Sequence, residues 1–304
     1  MHNIEPKHKR ILWVNLAAPS LGDSLMDLAA RTLLHDKELI LLTDRKNSQL
    51  YEHDDVIAEV YTSAREVRRA YKHKSFDLVI CDAFAPRVVF QKVIAAPWVE
   101  FVGLYEFLNG FEVHRTYFAF ARMMDLLALD KSELPERPTI SLPATSNHLV
   151  SVDVAIAVGG EWPFRTYDHW LEIVRWLTKK GYSISLVGSE NGAKTASKIL
   201  DSHPSIRSSV GKLSLQEVVV EIARAKVFIG ADGGLWNIAS AIPIPTVVLF
   251  ADCQIFDEHG DRMTRETSDM KCEVLYDDVQ VSNISPVRVL TAFEKLWARV
   301  GSKV

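Results

Sequence analysis

Three cysteines in 304 residues, Cys81, Cys253 and Cys272, are too few and too scattered for a disulfide framework. No two of them form a CxxC pair, which argues against a four-ligand zinc site and fits a reducing, cytoplasmic compartment. No apolar run reaches about 18 residues, so neither a signal peptide nor a membrane span is expected. A positive excess is also missing. Lys and Arg number 35 against 39 Asp and Glu, a net charge of -4, and a nucleic-acid partner is not expected. The dinucleotide pattern GxGxxG and the phosphate-loop pattern GxxxxGK[ST] are both absent, so hydride transfer and P-loop hydrolysis lose ground. No clustered acidic motif calls for a divalent metal, and no cofactor is expected.

The chain does have alternation. Apolar runs at residues 11–18 (ILWVNLAA), 39–44 (LILLTD) and 77–84 (DLVICDAF) read as strands, with helices at 24–35, 62–74 and 115–129. A Pro-, Ser- and Thr-rich stretch, residues 131–147, is the best linker. The alternation then restarts. Strands are expected at 153–160, 183–188, near Ser208, at 226–234 and at 246–252, with helices between them and a closing helix near 286–300. Trp170, Ile173, Val174 and Leu177 fall on one face of a 3.6-residue period. Strands alternating with helices of this length predict α/β architecture with mostly parallel sheets covered on both faces. The expected organisation is two Rossmann-like domains, residues 1–145 and 150–283. A C-terminal helix over 284–304 is expected to pack back toward the first domain. Ligands meet such sheets at the carboxyl ends of their strands, so the loops after strands are where chemistry is expected.

Four of those loops carry candidate residues. PSLGDS, residues 19–24, closes the first strand. Ser20 and Asp23 fit a capping box with Asp23 at the third helical position, and a carboxylate anchored there is also a candidate base. GGEWPFRTYDHW, residues 159–170, offers Arg165 and Thr166, a guanidinium and a hydroxyl suited to a diphosphate, or simply a surface arginine and a turn threonine. Glu190, in GSENG, can accept bonds from a ribose diol or stand as an exposed turn residue. In GADGGLWNIASAIPIP, residues 230–245, Gly233 and Gly234 let backbone amides approach a phosphate, and the helix start near Leu235 points its free amides the same way. Asp232 can cap that helix, fix the turn or hold a ligand.

Together these segments resemble the heptosyltransferase family of lipopolysaccharide assembly, two-domain glycosyltransferases of the GT-B fold. ILWVNLAAPSLGDSLMDLAA is similar to the family's opening strand and glycine–aspartate helix start, and VGGEWPFRTYDHWLEIVRWLTKKGYSISLVGS to its phosphate loop. GKLSLQEVVVEIARAKVFIGADGGLWNIASAIPIPTVVLF is similar to its donor motif, and ISPVRVLTAFEKLW to its closing helix. The resemblance implies two domains facing across a cleft, a nucleotide-sugar donor with ADP-heptose favoured, and a lipopolysaccharide-core or other surface-glycan acceptor. Asp23 matches the proposed base, with Gly22 beside it. Arg165 stands where a phosphate-binding lysine is usual, with Thr166 assisting. Asp232, Gly233, Gly234 and Leu235 match the donor turn, and Glu190 lies near the ribose-binding acidic residue. No metal is implied.

Some places depart from the family. Gly233 and Asn237 stand where relatives commonly have threonine and histidine, and ADCQIF, residues 251–256, replaces a glycine–proline–threonine loop. Other readings therefore stay open: a GT-B transferase using another nucleotide-hexose for capsule or O-antigen, or a catalytically silent nucleotide-sugar-binding partner. A sugar-nucleotide epimerase is weakened by the missing Tyr-x-x-x-Lys pair. Peripheral contact with the inner membrane is expected through residues 84–119, where Arg87, Lys92, His114 and Arg115 stand among apolar side chains.

Overall fold

The computed structural model describes residues 3–18, 20–71, 76–105, 115–130, 138–142, 151–242, 244–251 and 272–301. The chain divides into two compact units, Met1–Ser141 and Leu142–Val304. Of the proposed linker, only residues 138–142 are among those described.

The first unit is built on five parallel strands: β1 (Arg10–Asn15), β2 (Glu38–Thr43), β3 (Ile57–Tyr61), β4 (Leu78–Ala83) and β5 (Phe101–Tyr105). They lie in the order β3-β2-β1-β4-β5. Ile11, Leu12, Trp13 and Val14 are fully buried, as are Leu78, Val79, Ile80 and Cys81. That continuity is what a parallel sheet covered on both faces requires, and it explains why the central strands were legible as unbroken apolar runs. The edge strands β3 and β5 were not. The helices are α1 (Leu21–Asp27), α2 (Arg45–Ser48), α3 (Ala64–Ala70), α4 (Pro86–Ala95) and α5 (Arg115–Leu127). The helix expected at 24–35 starts earlier, at its Ser20 cap, and tightens into a 3₁₀ stretch from Leu28 to Leu34.

The second unit has six parallel strands: β6 (Val152–Ala157), β7 (Ile184–Val187), β8 (Arg207–Ser208), β9 (Ala225–Ala231), β10 (Thr246–Ala251) and β11 (Cys272–Asp277). Their order is β11-β10-β9-β6-β7-β8. The helices are α6 (Trp170–Lys179), α7 (Ala193–Ser202), α8 (Leu215–Ala223), α9 (Gly234–Ala241) and α10 (Pro286–Gly301). One face of the sheet, with Ile156, Leu186, Ile229 and Leu249, packs against Trp170, Ile173, Val174 and Leu177 of α6, the stripe expected from the sequence. Val289, Ala292, Phe293 and Leu296 of α10 join the same core. No described helix is long and apolar enough to cross a membrane.

A buried ion pair ties the first unit together. Arg31 and Asp54 have side chains only 2% and 1% exposed. Arg31 donates to Asp54 Oδ2 from Nε at 2.9 Å and from Nη2 at 2.5 Å. It also donates to the carbonyls of Leu28 at 3.1 Å and Thr139 at 2.8 Å. Asp54 in turn accepts the backbone amides of Val56 and Ile57, fixing the entry to β3. Removing one partner leaves an uncompensated buried charge, a loss of about 3–5 kcal/mol. Arg31→Ala is therefore expected to destabilise the first unit by about that much in chemical denaturation, and to expose residues 138–141 to limited proteolysis. Unchanged unfolding would mean that the pair contributes no net stability.

Candidate functional site

In each sheet the strand order reverses beside the unit's first strand: β1 lies next to β4, and β6 next to β9. Connections leave such a pair toward opposite faces and open a crevice at the carboxyl ends. Of the residues singled out from the sequence, Asp23 with Gly22 and Arg165 with Asp232 fall at these two places, whereas Glu190 follows β7.

In the first unit, Ser20 caps α1 and its Oγ accepts the Asp23 backbone amide at 3.2 Å. The Ser20 hydroxyl donates to Asp23 Oδ2 at 2.5 Å. Asp23 thus occupies the third position of a capping arrangement, as its spacing suggested, and its carboxylate is held by the cap hydroxyl. Gly22 beside it is buried. The sequence reading missed what faces Asp23. Arg115, from α5, donates Nη1 to Asp23 Oδ1 at 2.7 Å. The same guanidinium grips both oxygens of Asp27, from Nε at 2.5 Å and Nη2 at 2.7 Å. Asp27 is fully buried, one helical turn beyond Asp23.

Beneath this trio lies a second carboxylate that was also missed. Asp82, at the end of β4, is fully buried. Its Oδ2 accepts the Ala17 amide at 2.5 Å and its Oδ1 the Ala83 amide at 2.8 Å. The first of these bonds fixes the chain leaving β1, directly before Ser20 and Asp23. Asn15 reaches Asp82 at 3.4 Å and accepts the Ser24 hydroxyl at 2.8 Å. The signals available were the aspartate ending DLVICDAF and the D-x-x-x-D spacing of Asp23 and Asp27. Arg115 gave no local signal, because 92 residues separate it from Asp23.

The cationic surface expected over residues 84–119 is only partly there. Arg87 is exposed, but Lys92 is buried, with Nζ donating to the Val99 carbonyl at 2.5 Å. Arg115 is turned to the two aspartates, and His114 lies outside the described residues. Burial of the lysine stem among α4 and β5 takes that charge away from the surface.

In the second unit, the loop after β6 makes a 3₁₀ turn, Pro163–Arg165, and Thr166 closes it by donating to the Trp162 carbonyl at 3.0 Å. The loop is pinned from behind by residues near 282: Ser282 Oγ donates to the Thr166 carbonyl at 2.9 Å, and the Tyr167 hydroxyl to the Ile284 carbonyl at 3.0 Å. So held, Arg165 reaches Asp232 in the turn after β9, Nη2 to Oδ2 3.2 Å. The loop after β6 and the turn after β9 are joined at the switch point. Asp232 does not cap α9; the cap is Gly233, with φ 158° and ψ -173°. Side-chain-bearing residues rarely adopt that conformation, and the space where a Cβ would stand is open. Glycine is there for the backbone path. Gly234 and Leu235 open α9, and the Asn237 side chain donates back to the Gly233 carbonyl at 3.1 Å. Trp236 is buried edge-on against Phe250. Glu190 follows β7 and lies exposed, its carboxylate over Gly211, whose φ of 68° and missing side chain leave room for it. Residues 252–256 of the departing loop lie outside the described residues.

Residues 108–255 match the family model described as glycosyltransferase family 9 (heptosyltransferase). A 94-residue stretch is 30% identical to lipopolysaccharide heptosyltransferase 2 of Salmonella typhimurium, covering 29% of this chain and 26% of that protein's length. Among solved structures, a family 9 glycosyl transferase from Veillonella parvula superposes with a TM-score of 0.78 at 15% identity, over 98% of this chain and 100% of that one. The ADP-heptose heptosyltransferase II of E. coli does so with a TM-score of 0.75 at 18% identity, over 95% and 99%. At these identities the likeness is one of fold, and the fold is GT-B: two parallel-sheet α/β units. The resemblance read from the sequence and the family match agree.

Asp82 supplies a pH test. Burial pushes its carboxyl up to about 7; the Ala17 amide opposes the rise, the charge of Asp27 adds to it, and the Ala83 amide and Arg115 oppose it. Unfolded, the group titrates near 3.9. Between about pH 4 and 7 the folded state keeps a proton that the unfolded state has lost, so this contribution is full below pH 4 and lost as pH rises through about 7. The stability of the wild type relative to Asp82→Asn is expected to fall across that window, by on the order of a few kcal/mol. Denaturation series at pH 4.5, 5.5, 6.5 and 7.5 measure it. A flat difference would show that Asp82 carries no proton there.

Proposed function

We propose that this chain, which carries a glycosyltransferase family 9 segment over residues 108–255, moves a sugar from a nucleotide diphosphate donor to a glycan acceptor. The observation that carries this reading is the Arg165–Asp232 contact, which sets a guanidinium beside the free amides of the Gly233–Gly234 turn at a sheet's switch point. In that reading the diphosphate takes Arg165 from Asp232, and Thr166 assists. Glu190, exposed after β7, receives the ribose hydroxyls. ADP-heptose is the favoured donor, since the E. coli relative of like fold is an ADP-heptose enzyme. The acceptor is a lipopolysaccharide core or a related surface glycan, in keeping with the Salmonella relative.

The reaction then follows from the charges. Asp23 takes the proton of an acceptor hydroxyl as its oxygen attacks the anomeric carbon. The bond from that carbon to the diphosphate breaks, and negative charge grows on the leaving group. Arg165 and the amides at residues 233–235 stabilise that charge where it develops. A silent nucleotide-sugar binder would keep the second unit's site but would not need Asp23.

Calorimetry with ADP and ADP-heptose is expected to show saturable binding that Arg165→Ala weakens about 10- to 100-fold, the worth of one charge-assisted contact. Asp23→Asn is expected to keep nucleotide affinity within a few-fold while transfer falls about 10²- to 10⁴-fold. Absence of binding by any ADP-, GDP-, UDP- or dTDP-linked sugar would sink the donor reading. Normal transfer by Asp23→Asn would leave that residue as a cap.

A lipid-borne acceptor would bring the first unit to the inner membrane. The surface that suits this is α4 and the turn after it. Phe90 is 63%, Val93 49% and Trp98 95% exposed, near exposed Arg87. Cosedimentation with anionic vesicles is expected and should weaken in Trp98→Ser. Equal recovery of both proteins in the supernatant would remove the membrane contact from the proposal.

A further inference from the structure

The charged groups around Asp23 are arranged so that one of them holds the others in place. Asp23 and Asp27 are four residues apart on one face of α1, where two like charges repel. Asp27 is fully buried, and a buried carboxylate needs a partner. Arg115 supplies it with two parallel bonds, from Nε and Nη2 to the two carboxylate oxygens. Such a fork leaves the guanidinium plane no freedom to turn. Its remaining nitrogen, Nη1, is thereby aimed at Asp23 Oδ1 at 2.7 Å. From the other side, the Ser20 hydroxyl holds Oδ2 at 2.5 Å. The Asp23 carboxylate is therefore fixed in both position and plane, while its side chain stays 20% exposed. Its oxygens keep further lone pairs for a substrate proton.

We propose that Arg115 is a positioning residue for Asp23, and that Asp27 serves to hold Arg115 at that task. The proposal rests on the reading of Asp23 as the base in sugar transfer. Arg115 does not take the proton itself, because a guanidinium stays charged at any working pH. Its effect on turnover passes through Asp23.

A double-mutant cycle tests this, with ADP-heptose as donor, heptose-deficient lipopolysaccharide core as acceptor and ADP release as the readout. Asp23→Asn, Arg115→Ala and the combined variant are compared, with ADP titration and thermal unfolding as controls. Arg115→Ala is expected to lower kcat about 10- to 100-fold, the scale of a misplaced catalytic group, with acceptor KM within a few-fold. In the Asp23→Asn background the same change is expected to cost less than about two-fold, because nothing is left to position. Arg115→Lys should fall between, since an ammonium cannot grip Asp27 with a planar fork and reach Asp23 as well. Arg115→Ala leaves Asp27 buried and unpaired, so Asp27→Asn combined with Arg115→Gln provides a neutral version of the pair. That variant is expected to fold and to show the same kcat loss. Equal losses from Arg115→Ala in both backgrounds would overturn the proposal, as would a raised acceptor KM with unchanged kcat, because Arg115 would then act on its own account. Normal turnover by Asp23→Asn alone would instead overturn the base reading, and this proposal with it.

Discussion

The reversal of strand order in each sheet is the constraint on which the remaining features depend. A parallel sheet needs a crossover between strands, and crossovers keep one hand. When the chain returns to the other side of its first strand, the loops at that junction lead to opposite faces and leave the carboxyl ends uncovered. In the first unit this sets the chain after β1 against the end of β4, so Asp82 can hold the Ala17 amide. In the second it sets the loop after β6 against the turn after β9, so Arg165 can meet Asp232. Neither contact is local in sequence. Both follow from which strands are neighbours.

This accounts for what could be read from the chain. Strand–helix alternation is a short-range signal, and the central strands are apolar on both faces, so β1, β2, β4, β6, β9 and β10 were visible as runs. The three missed strands are all edges: IAEVY of β3, FVGLY of β5 and CEVLYD of β11. Glu59 in β3 and Glu273 in β11 interrupt the apolar run, whereas β5 is a five-residue strand broken by Gly103. The same limit applies to the sites. Arg165, Glu190 and Asp232 stand in loops that directly follow strands and Asp23 lies in the first turn of the helix after β1, and each was singled out from that position. Arg115 is distant in sequence, and its place among the charges of residues 84–119 pointed outward to a surface rather than to Asp23. Its partner Asp27 looked like one more charge on a helix. Only the fold brings them together, and only burial shows that Asp27 needs a cation.

The two sites use opposite electrostatic strategies. In the first unit three carboxylates lie close together and one arginine serves two of them. Asp82 takes two backbone amides, yet burial still pushes its carboxyl up to about 7. Asp23, the most exposed of the three, is the one turned outward. In the second unit charge is sparse, and the structure offers backbone dipoles with a single guanidinium. A cluster of carboxylates suits proton removal, whereas amides and a guanidinium suit a diphosphate. One exchange of the two would leave neither chemistry supported.

Gly233 and Asn237, in the turn after β9, can be placed on the same footing. Asn237 spends a side-chain bond on the Gly233 carbonyl, and the Asn237 backbone amide bonds the same oxygen at 3.1 Å. The turn is therefore closed by its own helix, and glycine at 233 permits the path that makes this closure possible. A hydroxyl-bearing residue at that position would have to give up the conformation, since β-carbon residues avoid it. Gly233 and Asn237 consequently belong together: the glycine allows the bend and the asparagine fastens it. Gly233 offers no side chain, the Asn237 side chain is engaged with the turn itself, and the space above Gly233 is left open. In the proposed reading, recognition at this turn rests on amides, which bind a phosphate well and discriminate poorly among sugars. On that proposal any selection of the sugar would come from other residues, and the sugar is the part of a donor least determined by this motif.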